Sequence, residues 1–296
     1  MKTNHTSRNA PVGVFDSGIG GLSVVQHLRE QLPDENFLYV ADSGFAPYGE
    51  RSNEELIARS IGITDFFLQQ GIKAVVIACN TATAAAVAAL RQRYPDLLII
   101  GMEPGIKPAA ARSESKIVGI LATRSTLQSE KFIRLSQQLS VETQTQFIPQ
   151  ACVGLVNEIE KGDLNSPEIF VLLRKYIPHL LAQGVDTLVL GCTHYPFVVT
   201  QIQSVIRDYF DQSESKIERK IHIVDTGEAI ARRLKNLLQQ HDLCCDPSSS
   251  PSASNLLAWT TGQVETLKLA LRFSHMPYHD AQLKPISIAT NCEHRN

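Results

Sequence analysis

Residues 70–81 read QGIKAVVIACNT and residues 183–194 read QGVDTLVLGCTH, and the two align without a gap at a constant offset of 113. In each, an apolar run that begins just after a Gly ends in Cys and then small polar residues. A short uninterrupted apolar run bounded by turn formers is the pattern of a strand covered on both faces. Upstream, residues 12–17 (VGVFDS) line up with residues 118–123 (VGILAT) at an offset of 106. Two matches in the same order predict two similarly built α/β units. The offset is too long for a solenoid, whose repeats span about 20–50 residues.

Working outward, PVGVF (11–15) stops at Asp16-Ser17-Gly18-Ile19-Gly20-Gly21 and continues into LSVVQHLREQL, which reads as strand, Gly-rich turn and helix. FLYVA (37–41) gives way to the loop DSGFAPYGERS. There Ser52 with Glu55 forms a capping box for a helix carrying Leu56, Ile57, Ile61 and Phe67 on its apolar side and ending at Gly71. Runs 73–78, 98–101, 116–122, 186–191 and 221–224 are further continuous apolar segments separated by helical patterns. The fold class expected is α/β, with two similar domains, each a mostly parallel sheet flanked by helices, and an active site in the cleft between them. Residues 246–255 (DPSSSPSASN) read as an exposed loop after the helix-like 226–243 and before a last strand (LLAWTT) and helix (ETLKLALRF). The tail 275–296 is expected to be loosely ordered.

At roughly 150 residues per domain, 296 residues agree with two domains. Lys and Arg number 28 against 30 Asp and Glu, so no surplus basic surface exists to neutralise a phosphate backbone, which argues against nucleic acid as a partner. The opening MKTNHTSRNAPVG lacks the apolar core of a signal peptide, and the most apolar stretch, 74–90, is broken by Asn80, Thr81 and Thr83. A soluble cytoplasmic chain without a membrane span is expected. Six cysteines in this length are too sparse for a disulfide framework and are read as reduced thiols.

Cys79 and Cys192 each sit where an apolar strand meets a loop that starts a helix. Carboxyl ends of strands are where open α/β sheets bind ligands, and the N–H groups and positive end of a following helix hold anions and favour a thiolate. One such Cys would be read as a small buried hydrophobe. Two, at the same place of matched units, point to chemistry. If the two edges face each other, one thiolate can remove a proton from one side of a carbon while the other thiol delivers a proton to the opposite side, and the centre inverts. A thiol suits both tasks because its ordinary pKa of about 8.5 lies near neutrality. Asp16 and His194 could return protons to the thiols, and Ser17, Asn80, Thr81 and Thr193 could bind a carboxylate. Asp42 and Tyr48-Gly49 lie in a loop at the same edge.

Other motifs are weaker. The glycines after the first strand fail the G-x-G-x-x-G dinucleotide pattern because its last position is Ser23, and no phosphate loop ending GK[ST] occurs. Cys244-Cys245 with Cys292 and His294 lack the two-residue spacer of common zinc sites, so they are read as structural or incidental, and no metal is expected.

Asp16-Ser17-Gly18-Ile19-Gly20-Gly21-Leu22, Pro47-Tyr48-Gly49, Ala78-Cys79-Asn80-Thr81-Ala82-Thr83 and Gly191-Cys192-Thr193-His194-Tyr195-Pro196 together resemble the aspartate/glutamate racemase family, and within it the glutamate-specific enzymes of bacterial cell-wall synthesis. Four motifs in the family's order, over about residues 11–273, make the resemblance specific. It implies a cofactor-independent enzyme that interconverts L- and D-glutamate and supplies D-glutamate for peptidoglycan. It implies a second domain (106–215) inserted into a first (1–105 plus 216–296). By resemblance, Cys79 takes the proton from D-glutamate and Cys192 from L-glutamate, with Asp16 and His194 assisting. Ser17, Tyr48, Gly49, Asn80, Thr81, Thr123 and Thr193 bind substrate. Glu160, in CVGLVNEIEKG, matches a family glutamate near the second cysteine, although that stretch departs from the commoner proline-rich form. The partners implied are glutamate, a second copy in a homodimer and, as in some members, a peptidoglycan-precursor activator. No cofactor is available to spread a carbanion's charge, so the chemistry calls for a small, closed, polar pocket with water excluded, and for domain motion during turnover.

Three other readings remain at this point. An aspartate racemase would use the same machinery, since one methylene changes pocket affinity by only about 1–3 kcal/mol. A Cys–His hydrolase or amidotransferase would use Cys192 as nucleophile and His194 as base. A periplasmic-type two-domain binding protein would close on a small anion, against which stand the two edge thiols and the apparent lack of a signal peptide.

Overall fold

A computed structural model of the chain describes residues 7–212, 220–246, 256–274 and 276–289. Two compact units emerge, Met1–Met102 with Gly227–Asn296, and Glu103–Thr226. The first begins β1 (Val12–Asp16), α1 (Leu22–Gln31), β2 (Phe37–Ala41), α2 (Asn53–Gln69), β3 (Ala74–Ile77), α3 (Asn80–Arg93) and β4 (Leu98–Gly101). The second runs α4 (Ile106–Arg112), β5 (Ile117–Ala122), α5 (Arg124–Gln128), α6 (Glu130–Thr143), β6 (Gln146–Ala151), α7 (Leu155–Glu160), α8 (Pro167–Tyr176), α9 (Pro178–Ala182), β7 (Thr187–Leu190), α10 (Val199–Asp211) and β8 (His222–Val224). The chain then returns to the first unit with α11 (Gly227–Gln240), β9 (Leu256–Thr260), α12 (Val264–Phe273) and β10 (Leu283–Pro285).

The first unit's sheet has the order β10-β9-β2-β1-β3-β4 and the second's β6-β5-β7-β8, with every described pairing parallel. The internal repeat is visible in the ladders. Val12 to Phe15 pair with Ala74 to Ile77, and Val118 to Leu121 pair with Thr187 to Leu190, residue for residue at the offsets read from the sequence. β2-β1-β3-β4 therefore corresponds to β6-β5-β7-β8. Gly71 (φ +74°) and Gly184 (φ +86°), which also correspond, supply the left-handed residue that ends a helix before each of the strands β3 and β7.

Both faces of these sheets are covered, as their continuous apolar runs require. In the first unit, α2 and α3 pack Leu56, Ile63, Phe67, Ala86 and Leu90 over Val75 and Ile77, while α1 and α11 lie together. In the second, α7 to α10 bury Leu155, Ile169, Leu173, Leu180 and Ile202 with Leu188 and Leu190, and α4 and α6 cover Val118, Ile120 and Val189 on the other face.

The Ser52–Glu55 capping box is present, with Glu55 N–H donating to Ser52 Oγ at 3.2 Å and Ser52 N–H to Glu55 Oε2 at 2.9 Å. The stripe that α2 buries is Leu56, Arg59, Ser60, Ile63, Thr64 and Phe67, with Ile57 and Ile61 half-buried at its margin. Three further expectations are corrected. The return to the first unit falls after Thr226 rather than at 216, because β8 pairs with β7; the first break falls after Met102 rather than 105. β6 had no clear sequence signal: it is a polar edge strand containing Pro149, whose missing N–H an edge tolerates. The tail is partly ordered, since β10 pairs with β9 and Leu283 and Ile288 are buried. Residues 247–255, most of the expected Ser/Pro loop, lie outside the described residues, as do Cys292 and His294. Among the described residues no group of three or more His, Cys, Asp or Glu could hold a metal, and no helix is long and apolar enough to cross a membrane.

Candidate active site

The first unit gathers its polar residues at the carboxyl ends of β1, β2 and β3. Cys79, two residues past β3, is the N-cap of α3, and its Sγ accepts from Ala82 N–H at 3.4 Å. The sulfur thus sits at the positive end of a helix, where a thiolate's charge is favoured. The Cys79 thiol also lies 3.8 Å from Ser17 Oγ. Asp16, the last residue of β1, is fully buried and its Oδ2 accepts from Gly21 N–H at 2.7 Å; Tyr39 pins the same turn by donating to Gly18 carbonyl at 2.5 Å. Thr81 is buried beside Cys79 in sequence, and Asn80 is buried with no protein partner for its Nδ2 among the described residues. A buried amide without an acceptor is costly, so that donor is suited to a ligand oxygen.

Tyr48 is buried, with Gly49 exposed after it. The Tyr48 hydroxyl donates to Asp42 Oδ2 at 2.6 Å. Burial, then the Asp42 charge, push the phenol well above its ordinary value, so it stays protonated. Arg59 holds the same carboxylate through two nitrogens and is itself buried.

The second unit builds its half differently. Cys192, two residues past β7, lies with its Sγ 3.7 Å from His194 Nδ1, and His194 Nε2 is 2.5 Å from Glu160 Oε1 at the end of α7. Burial alone would lower the His194 pKa, but hydrogen bonds to Cys192 and Glu160, together with their charges, raise it well above the ordinary value. Glu160, offered only by resemblance, is therefore brought against the histidine. Thr193 is buried between Cys192 and His194. Thr123, the counterpart of Ser17 in the repeat, caps α5 by accepting from Thr126 N–H at 3.2 Å.

One sequence expectation fails at Cys192. The loop after it enters a 3-10 turn, Tyr195–Val198 with Pro196 in its first turn, and α10 starts only at Val199. Cys192 has no α-helix N-terminus at its sulfur; the His194 imidazole lies beside it instead. Cys152, also buried in this unit, is pushed up to about 12 by burial and stays a neutral thiol.

Arg59 and Thr261, which converge on Asp42, were not expected from sequence. For Arg59 a signal existed: it lies on the stripe Leu56, Ile63, Phe67 where an apolar residue belongs. Thr261, whose partners are more than 200 residues away in sequence, left none.

The family described as Asp/Glu/Hydantoin racemase matches residues 12–241. The glutamate racemase of Ectopseudomonas mendocina (strain ymp) is 48% identical over 262 residues, spanning 88% of this chain and 93% of that one. Among solved structures, a glutamate racemase isoform from Bacillus anthracis superposes with a TM-score of 0.76 at 28% identity, over 95% of this chain and 98% of that one. Escherichia coli glutamate racemase, in complex with L-glutamate and the activator UDP-MurNAc-Ala, superposes with a TM-score of 0.73 at 28% identity, over 95% and 99%.

Proposed function

Because the chain belongs to the Asp/Glu/Hydantoin racemase family, we propose that it interconverts L- and D-glutamate by proton transfer between two thiols and so supplies D-glutamate for peptidoglycan synthesis. The observation that carries this is the equivalence of Cys79 and Cys192. Each stands two residues past the same strand of a repeated four-strand unit, Cys79 with its sulfur at the N-terminus of α3 and Cys192 with its sulfur beside His194.

Inversion at Cα needs a base on one face and an acid on the other. From L-glutamate, Cys192 as thiolate takes the α-proton and becomes a thiol; Cys79 as thiol gives its proton to the opposite face and becomes a thiolate. The reverse reaction exchanges the roles. His194, held charged between Cys192 and Glu160, is the acid–base partner of Cys192, and the α3 N-terminus lies at the Cys79 sulfur. The role of proton relay in the first unit is assigned to Asp16, which is buried at the end of β1. The α-proton is a weak acid, so the carbanion-like state must be held by oriented donors; Ser17, Asn80, Thr81, Thr123 and Thr193, with Tyr48 and Gly49, supply candidates. The enzyme's partners under this proposal are glutamate, a UDP-MurNAc-Ala-type activator like that of the Escherichia coli neighbour, and a second copy of the chain.

Circular dichroism of glutamate with no added cofactor tests the activity, and comparison of kcat/KM for glutamate and aspartate tests the substrate. Cys79→Ser and Cys192→Ser should each lower racemisation by about 10²–10⁴-fold, the usual worth of a general acid or base. Full activity in either variant overturns the two-thiol mechanism, and a thioester trapped on Cys192 with an amide substrate favours acyl transfer instead.

A further inference from the structure

Asp42, the residue after β2, is fully buried and accepts hydrogen bonds from three side chains. Its Oδ2 takes Tyr48 Oη at 2.6 Å and Arg59 Nε at 2.7 Å; its Oδ1 takes Arg59 Nη2 at 2.6 Å and Thr261 Oγ1 at 2.7 Å. These occupy the roughly four acceptor positions of a carboxylate. The remaining Arg59 nitrogen, Nη1, donates to the carbonyl of Ile288 at 2.7 Å, and the guanidinium lies 4.9 Å from the Phe45 ring centre. One fork therefore ties the loop after β2 to the C-terminal segment, which lies so close to α2 that a Cβ at Gly62 would meet Ala289 carbonyl at 2.7 Å.

Buried ion pairs are poor stabilisers, because apolar replacements of similar volume often match them. What this one fixes is direction. The Tyr48 proton is committed to Asp42, so the Tyr48 oxygen can only accept from anything else. Tyr48 belongs to the same buried cluster as Cys79, and the 3-10 turn that it opens, Tyr48–Glu50, packs on α3, whose N-cap is Cys79.

We propose that Arg59 is a positioning residue: through Asp42 it fixes the Tyr48 hydroxyl and the substrate-binding loop that carries it, and the Ile288 carbonyl holds Arg59 in that orientation. The inference rests on the assignment of Tyr48 to substrate binding above. Arg59→Lys keeps the charge and loses the fork, because an ammonium cannot span both Asp42 oxygens and a carbonyl. Its KM for glutamate should rise by about threefold or more with kcat within about twofold of the wild type. Tyr48→Phe should raise KM similarly, and the double variant should be no worse than the worse single, since both act through one contact. A wild-type KM in Arg59→Lys, or additive effects in the double variant, overturns the inference. Should Arg59→Lys fail to fold, Thr261→Val, which removes one donor from Asp42, enters the same cycle under the same criteria. A wild-type chain that does not racemise glutamate defeats the proposed function alone. Positioning is then read from the ¹³Cζ-tyrosine resonance of Tyr48, which Arg59→Lys shifts if the inference holds and leaves in place if it does not.

Discussion

His194 concentrates the electrostatics of the second unit. Its two ring nitrogens are committed, one to a sulfur and one to a carboxylate, in a place where water reaches almost none of it. Burial opposes the charge, and Cys192 and Glu160 outweigh burial, so the imidazole should be doubly protonated at pH 7. Histidine ¹⁵N spectra check this, and a neutral ring at pH 7 contradicts it. A raised histidine pKa stabilises the fold fully below the unfolded value of about 6.5, and that contribution disappears as pH rises through the folded value. Glu160→Gln removes one of the raising causes, so the alkaline limb of kcat/KM should move to lower pH; an unmoved limb would place Glu160 outside the proton path. At this scale the sequence showed the two cysteines and their immediate neighbours, because each follows a recognisable strand. It showed Arg59 poorly, because a charged residue on a helix is read by default as solvated, and only its tertiary partner Asp42 makes burial tolerable.

Helix ends and strand ends, where the backbone must change direction, decide where the thiols stand. Gly71 and Gly184 occupy equivalent left-handed positions between a helix and the strand that carries a cysteine. Gly71→Ala and Gly184→Ala should each destabilise by about 1 kcal/mol, measured by urea unfolding, through a conformation that a Cβ disfavours; nothing lies within 4 Å of a Cβ at Gly71, so there the cost is conformational only. Ser52→Ala, which breaks the capping box of α2, should cost about 1 kcal/mol by the same measurement. The capping box was legible because its two residues are three apart. β6 was not, because an edge strand paired on one side needs neither a continuous apolar run nor a full set of N–H donors. The contrast between the two cysteines was also hidden: both are followed by small polar residues, and only Pro196 marks the 3-10 turn that separates Cys192 from α10.

Across the whole molecule, the repeat explains how a chain without a nucleotide fingerprint comes to carry two buried cysteines at equivalent strand ends. The four-strand unit is built twice with matching register, so an equivalent position supplies a thiol each time, while the surrounding residues differ enough to give one thiol a helix end and the other an imidazole. Self-alignment made the repeat legible because parallel strands keep their apolar runs. The limits of the units were less so, because β8 joins the second sheet through pairing with β7 and carries no signal of which unit it belongs to. If two distinct groups handle the two faces of Cα, racemisation of L-glutamate in deuterated water separates their two proton transfers. From the first turnover the D-glutamate formed should carry one deuterium at Cα, delivered by a solvent-exchanged thiol, while the remaining L-glutamate stays unlabelled. Unlabelled product, or label entering the remaining L-glutamate as fast as product forms, would mean that one group serves both faces and would contradict the two-thiol account.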